Sequence, residues 1–156
     1  MKSEENIPGQ RFQITRVFVA PRAEVFNWWA HAEKLQQWSG CKEAIGCEVV
    51  MDFRVGGSFT QKMQIAVAGG TCEFSFTGTY EEIVVPERIS YRANLGQGIT
   101  RVIVDFFDQG RQTKVVVLTQ DGFADLGACK IVSQGTMESL EKLDSILAGQ
   151  VMVNRL

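Results

Sequence analysis

From Glu48 to Thr119 the chain keeps a two-residue period, and no other feature constrains its fold as strongly. Val49, Met51 and Phe53 alternate with Val50, Asp52 and Arg54. After Gly56-Gly57, the row Phe59, Gln61, Met63, Ile65 and Val67 alternates with Ser58, Thr60, Lys62, Gln64 and Ala66. Gly69-Gly70 signals a hairpin turn, beyond which Cys72, Phe74, Phe76, Gly78 and Tyr80 share one side. Pro86 interrupts the pattern, and Ile89, Tyr91, Ala93 and Leu95 resume it. The turns "GQG" and "DQG" lead into Thr100 to Phe107 and Lys114 to Thr119. With an earlier strand over Phe12 to Val19, the pattern predicts seven strands, mostly joined by turns too short for parallel pairing. One face is apolar and the other charged, so something must cover the apolar side.

The C-terminal segment supplies that cover. From about Asp125 to Ala148, Val132, Thr136, Leu140, Leu143 and Leu147 recur at helical spacing, with Glu138, Glu141, Lys142 and Asp144 mostly opposite. Gly149 is the expected C-cap. After the first strand, Pro21 suits the first turn of a helix, Glu24 its positive end, and Val25, Trp28 and Trp29 its apolar side. A second short helix is expected over Ala32 to Trp38. The glycines at 56, 57 and 78 are where the sheet can bend. The predicted class is α+β: a curved seven-stranded antiparallel sheet around a long C-terminal helix, with two short helices after strand 1. Residues 1–10 read as a disordered or extended N-terminus, 11–149 as one domain and 150–156 as a tail.

A net charge of −2 and the lack of a Lys/Arg run speak against nucleic acid as a partner. The N-terminus "MKSEENIPGQ" has no apolar core of a signal peptide, and no apolar run approaches the roughly 20 residues of a membrane span. A cytoplasmic location without membrane insertion is therefore expected. Cys41, Cys47, Cys72 and Cys129 contain no C-x-x-C pair, and buried free thiols are the expected state.

The inward row carries many large side chains: Met51, Phe53, Phe59, Met63, Ile65, Phe74, Phe76, Tyr80, Tyr91, Val102, Val104 and Phe106. One helix covers a strip about 10 Å wide, whereas seven strands at about 4.8 Å spacing are far broader. Either the aromatics fill the difference or a cavity remains, and aromatic, Met-lined concavities are a usual form of small-molecule site. Asp52 and Arg54, at i and i+2, share the opposite side of their strand. They read as an outward pair that holds hairpin register near Trp38, or alternatively as a polar anchor for a ligand head group. His31, the single histidine, has no Cys/His/Asp partner at metal-ligand spacing, so no metal is expected, although it could carry protons at a cavity mouth. Neither a G-x-S-x-G elbow nor a phosphate-binding glycine motif occurs, and no catalytic residue or cofactor is assigned.

These residues resemble a known family. "ITRVFVAPRAEVFNWWAHAEKLQQW" is similar to the opening of START-like (SRPBCC, helix-grip) domains, in the branch related to the activator of the ninety-kilodalton heat-shock chaperone's ATPase. The matching positions are Ala20, Pro21, Val25, Phe26, Leu35 and Trp38. "MDFRVGGSF" resembles the family's Asp-x-Arg-x-Gly-Gly signature at Asp52, Arg54, Gly56 and Gly57. "GTYEEIVVPERISY" matches at Gly78, Tyr80, Ile83, Pro86, Ile89 and Tyr91, and "QGTMESLEKL" at Gly135, Leu140 and Leu143. The resemblance spans about residues 12 to 148 and departs at Thr136, where many relatives carry Trp. It implies a hydrophobic cavity between the C-terminal helix and the sheet, used across the superfamily for lipids, polyketides and other apolar molecules.

The expected function is therefore non-catalytic binding of a small hydrophobic or aromatic molecule. The expected lining is Trp38, Phe53, Phe59, Met63, Phe74, Phe76, Tyr80, Tyr91, Val104, Phe106, Thr136 and Leu140, with Tyr80, Tyr91 and Thr136 giving the orienting hydroxyls. One alternative is a polyketide cyclase or hydratase, which would need a buried His, Arg or carboxylate; Arg92, Arg101 and Asp105 fall on the face expected to be exposed, and their burial would favour it. Another is a protein-interaction module: a chaperone accessory or a partner in the stress response. A homodimer through an outward apolar residue such as Ile103 or Val116 is a further expectation.

Overall fold

A computed structural model describes residues 10–95 and 98–154. The elements are β1 (Arg11–Phe18), α1 (Arg22–Ala30), α2 (Ala32–Trp38), β2 (Ala44–Met51), β3 (Ser58–Val67), β4 (Gly70–Val84), β5 (Arg88–Asn94), β6 (Ile99–Gln109), β7 (Gln112–Gln120) and α3 (Leu126–Asn154). The strands form one seven-stranded sheet in the order β1-β7-β6-β5-β4-β3-β2, with every pair antiparallel. Sequential hairpins build β2 to β7, and β1 joins at the far edge through β7, with Ile14 opposite Val117. The α1–α2 pair bridges the two edges, and α3 lies on the concave face, as the periodicity predicted.

Local chemistry explains the boundaries. Pro21, in extended conformation, is the N-cap of α1, and its carbonyl accepts from the N–H groups of Glu24 and Val25, each at 3.0 Å. His31 ends α1 and starts α2, and it stays exposed. Asp125 caps α3, its Oδ1 accepting from the Ala128 N–H at 2.8 Å. Strong curvature of the sheet needs Gly78. A Cβ there would collide with the Phe59 ring and come within 2.6 Å of the Arg92 carbonyl oxygen. Phe59, register partner of Gly78, lies over the bare backbone instead.

The core occupies one end of the grip. Phe18, Val25, Phe26, Phe106, Val115, Leu143 and Leu147 are all buried there, joining α1 and the C-terminal half of α3 to β1, β6 and β7. Fully burying a side chain of this size contributes roughly 1.5–3 kcal/mol. The convex face carries ion pairs: Glu81 with Arg92 at 2.6 Å and Arg101 at 3.4 Å, and Arg88 with Asp105 at 2.6 Å. Arg92 and Arg101 are direct cross-strand partners, and the Glu81 carboxylate offsets their repulsion. Ile103 and Val116 lie half-buried on this outer face.

Four expectations are corrected. Strand β2 begins at Ala44, four residues before the period-two pattern, because an irregularity between Ala44 and Gly46 breaks the alternation. Gly149 does not cap α3: the helix runs through it to Asn154, so residues 150–154 are helical. With nothing within 4 Å of where a Cβ would stand and good helix formers nearby, Gly149 costs that helix only about 1 kcal/mol. Of the thiols only Cys129 is buried. Cys41 and Cys47 are half-buried, and Cys72, near the start of β4, is exposed. Finally, Phe53 lies beyond the end of β2, in the loop to β3. The expected N-terminus falls outside the described residues over 1–9, as do the centre of the "GQG" turn and the last two residues of the tail.

Candidate functional site

Helix α3 packs chiefly on β1 and α2. Loop 39–42, which follows α2, holds it there. Ser139 Oγ donates to the Gly40 carbonyl at 2.8 Å, Lys142 Nζ donates to the Cys41 carbonyl at 2.9 Å, and the Lys42 N–H donates to Glu138 Oε1 at 2.8 Å. The Gln134 side chain and the Lys42 N–H hold the Glu138 carboxyl below its usual range. Leaning on one edge of the sheet leaves the other uncovered. Between the N-terminal half of α3 and strands β3 to β7 lies a hollow of about 350 Å³.

Its roof is Ile131, Val132, Gly135, Thr136, Ser139 and Leu140 of α3. Gly135 leaves real space, since a Cβ there would meet nothing nearer than Cys41 Cβ at 3.9 Å. The floor is Phe59, Gln61, Met63 and Ile65 of β3, Phe74, Phe76 and Tyr80 of β4, and Ile89, Tyr91 and Ala93 of β5, continued by Val102, Val104, Val117 and Thr119. Trp29, Leu35, Trp38 and the turn Ser39–Cys41 close the end beside the core. Ile131, 74% exposed, and Phe74, 39% exposed, mark where it opens to solvent.

The walls are aromatic and interlocked. Phe59 meets Tyr80 at 5.1 Å, Tyr91 at 5.0 Å and Phe76 at 6.2 Å between ring centroids. The contacts with Tyr91 and Phe76 are edge-to-face and that with Tyr80 is tilted, and such contacts fix ring orientations. Trp38 Nε1 donates to the Trp28 carbonyl at 3.0 Å, so the indole is anchored in a T-shaped contact with Trp29, centroids 4.6 Å apart. Burial pushes the Tyr91 phenol up to about 12. Burial raises Tyr80 further, with the neighbouring Tyr91 phenol adding to it. Cys47, behind this wall, is raised by burial against the opposing effects of Ser39 and Lys142.

Ten of the expected residues border the hollow: Trp38, Phe59, Met63, Phe74, Phe76, Tyr80, Tyr91, Val104, Thr136 and Leu140. Phe53 and Phe106 do not. Phe26 of α1 inserts between them, 6.1 Å from Phe53 and 5.1 Å from Phe106, and turns both into core. The Thr136 hydroxyl has no proton left to donate to a ligand, because it donates to the Val132 carbonyl one turn back at 2.8 Å. Asp52 and Arg54 pair with each other at 2.8 Å, both exposed and outside the lining. Their loop is shaped by backbone: Gly56 N–H donates to the Tyr80 carbonyl at 2.8 Å, and Tyr80 N–H to the Gly57 carbonyl at 2.9 Å. A Cβ on Gly57 would run into the Asp52 carbonyl. The signature is thus a docking loop for Tyr80.

Gln61, Ser39 and Thr119 were missed. Gln61 was the one long polar side chain in the inward row of β3, and that was its signal. Ser39 Oγ donates to Gln61 Oε1 at 2.6 Å. Among the described residues no group of three or more His, Cys, Asp or Glu is placed to hold a metal, and no helix is long and apolar enough to cross a membrane.

Residues 19–148 match the family described as Activator of Hsp90 ATPase homolog 1-like protein. No curated protein matches the chain. Among solved structures, protein CV1439 of Chromobacterium violaceum is similar with a TM-score of 0.77 and 25% identity, over 88% of this chain and 96% of that one. A protein of Rhizobium leguminosarum reaches 0.69 and 31% identity over 90% and 95%. PFC0360w, an HSP90 activator of Plasmodium falciparum, reaches 0.66 and 23% over 88% and 96%, a likeness of fold alone.

Proposed function

The chain belongs to the family of Activator of Hsp90 ATPase homolog 1-like proteins, and from that premise we propose that it binds a small apolar or aromatic molecule between α3 and the sheet without transforming it. The observation that carries this reading is the hollow of about 350 Å³ with aromatic and aliphatic walls. Its size falls at the lower end of the range for small-molecule sites. An apolar concavity of this size that opens to solvent is the usual form of a small-molecule site.

Binding rather than chemistry is supported by where the ionisable groups sit. Arg92, Arg101 and Asp105, the groups a cyclase or hydratase would have needed inside, are engaged in ion pairs on the convex face. The phenols at the hollow are shifted away from neutral pH, which suits donors better than proton carriers.

Thermal-shift screening with fatty acids, flavonoids and polyketides tests the reading. A ligand at 100 times its dissociation constant stabilises the folded state by about 2.7 kcal/mol. For a domain of this size that raises Tm by about 5–10 °C. Silence across every class would count against the site.

The fold and family are equally consistent with a chaperone-accessory role, and the likeness to the Plasmodium HSP90 activator favours testing it. Stimulation of a purified Hsp90-class ATPase by this chain would support that second reading, and ligand binding would be neither required nor excluded by it.

A further inference from the structure

The wall of the hollow carries no charge. Among the described residues that line it there is no Lys, Arg, His, Asp or Glu. It does carry hydrogen-bonding groups with nothing to bond. Gln61 is 7% exposed, Tyr80 4% and Thr119 3%, and all three border the hollow. Among the described residues, neither the Tyr80 nor the Tyr91 hydroxyl, nor the Thr119 hydroxyl, nor the Gln61 amide nitrogen has a protein partner. Nor are these atoms sealed away, since the enclosed side-chain atoms without a partner are Gln10 Oε1 and Thr100 Oγ1. All four residues belong to the lining of the hollow.

All of these groups can donate, the hydroxyls while also accepting and the Gln61 amide nitrogen by donation alone. Ser39 donates to Gln61 Oε1 and so turns the NH2 end of the amide away from itself. Both phenols carry their protons at neutral pH, as any tyrosine does, and burial only moves them further from ionising. They flank Phe59, with ring centroids 6.2 Å apart, and the cross-strand row Tyr91–Val102–Thr119 carries the donors over the sheet.

From this juxtaposition, and resting on the binding reading above, we infer that the hollow selects an uncharged aromatic ligand bearing at least one carbonyl or ether acceptor, and discriminates against carboxylates of the same shape. An acceptor satisfies donors that would otherwise be desolvated without a partner when an apolar ligand displaces water. A carboxylate would satisfy them too, but it would bring a full negative charge into a wall with no cation to offset its desolvation.

Three probes of one skeleton separate the possibilities: 2-acetylnaphthalene, 2-ethylnaphthalene and 2-naphthoate, titrated calorimetrically into the full chain at pH 7.5. The ketone should bind roughly tenfold or more tightly than the carboxylate, and about three- to tenfold more tightly than the hydrocarbon. The triple variant Tyr80→Phe, Tyr91→Phe, Gln61→Leu should bind ketone and hydrocarbon alike. Should it fail to fold by circular dichroism, Gln61→Leu alone and Tyr91→Phe alone must each narrow the gap. If naphthoate binds as tightly as the ketone, or the hydrocarbon does, the selectivity is refuted while the binding site stands. If none of the three binds, the binding reading falls and takes this inference with it.

Discussion

Single positions decide how closely the sheet can fold on itself. Gly78 stands beneath the Phe59 ring, and its β5 neighbour contributes a backbone oxygen that cannot move aside cheaply. Gly78→Ala should therefore cost more than 2 kcal/mol in urea denaturation, as overpacking against backbone does. A loss under 0.5 kcal/mol would mean the ring is free to swing. Tyr91 makes a different kind of prediction. Its phenol titrates near 10 when unfolded and at about 12 when folded, because burial disfavours the phenolate. Between those values the folded state holds the proton more tightly, so stability is intact below pH 10 and falls as pH rises towards 12. Two pH units are worth roughly 3 kcal/mol at most. Tyr91→Phe should flatten that alkaline decline in denaturation midpoints measured from pH 9 to 12. An unchanged slope would place the titration elsewhere, on Tyr80 for instance.

At the scale of elements, α3 is held by polar contacts as much as by its leucines. Leu140, Leu143 and Leu147, legible from helical spacing, are buried as expected. The clamp to loop 39–42 was not legible, because helical periodicity says which face turns inward and nothing about which loop arrives to meet it. Lys142 read as part of the solvent face, yet its ammonium reaches two backbone carbonyls. A charge-assisted bond of this type contributes about 1.5–3 kcal/mol, so Lys142→Ala should lower stability by about that amount and Lys142→Arg by less. The converse holds at Gly149. The rule that glycine ends helices predicted a cap, but no left-handed backbone is required there and the helix continues. Gly149→Ala should stabilise the chain by about 0.5–1 kcal/mol by thermal denaturation, the reverse of what a true left-handed cap would show.

Across the whole molecule, the strand count, the antiparallel order and the concave apolar face could be read from period-two alternation and glycine turns. Which end of that face would be packed and which left hollow could not. Alternation assigns a side to Phe53, Phe59, Phe76 and Phe106 alike, but what stands opposite each depends on how α1 and α3 settle. Phe26 closes over Phe53 and Phe106, whereas the N-terminal half of α3 stands off from Phe59 and Phe76. One of the roof positions over that gap is Thr136, where the family resemblance leads one to expect Trp in many relatives. Thr136→Trp would insert an indole into open space next to Gly135, replacing cavity by contact. Filling a void recovers dispersion contacts that its lining lacks, so the variant should melt at the same temperature or higher. The same indole should abolish the 5–10 °C shift that any ligand of the hollow produces in the unmodified chain. A variant that keeps both its Tm and its full ligand shift would show that the molecule binds somewhere other than beneath the helix.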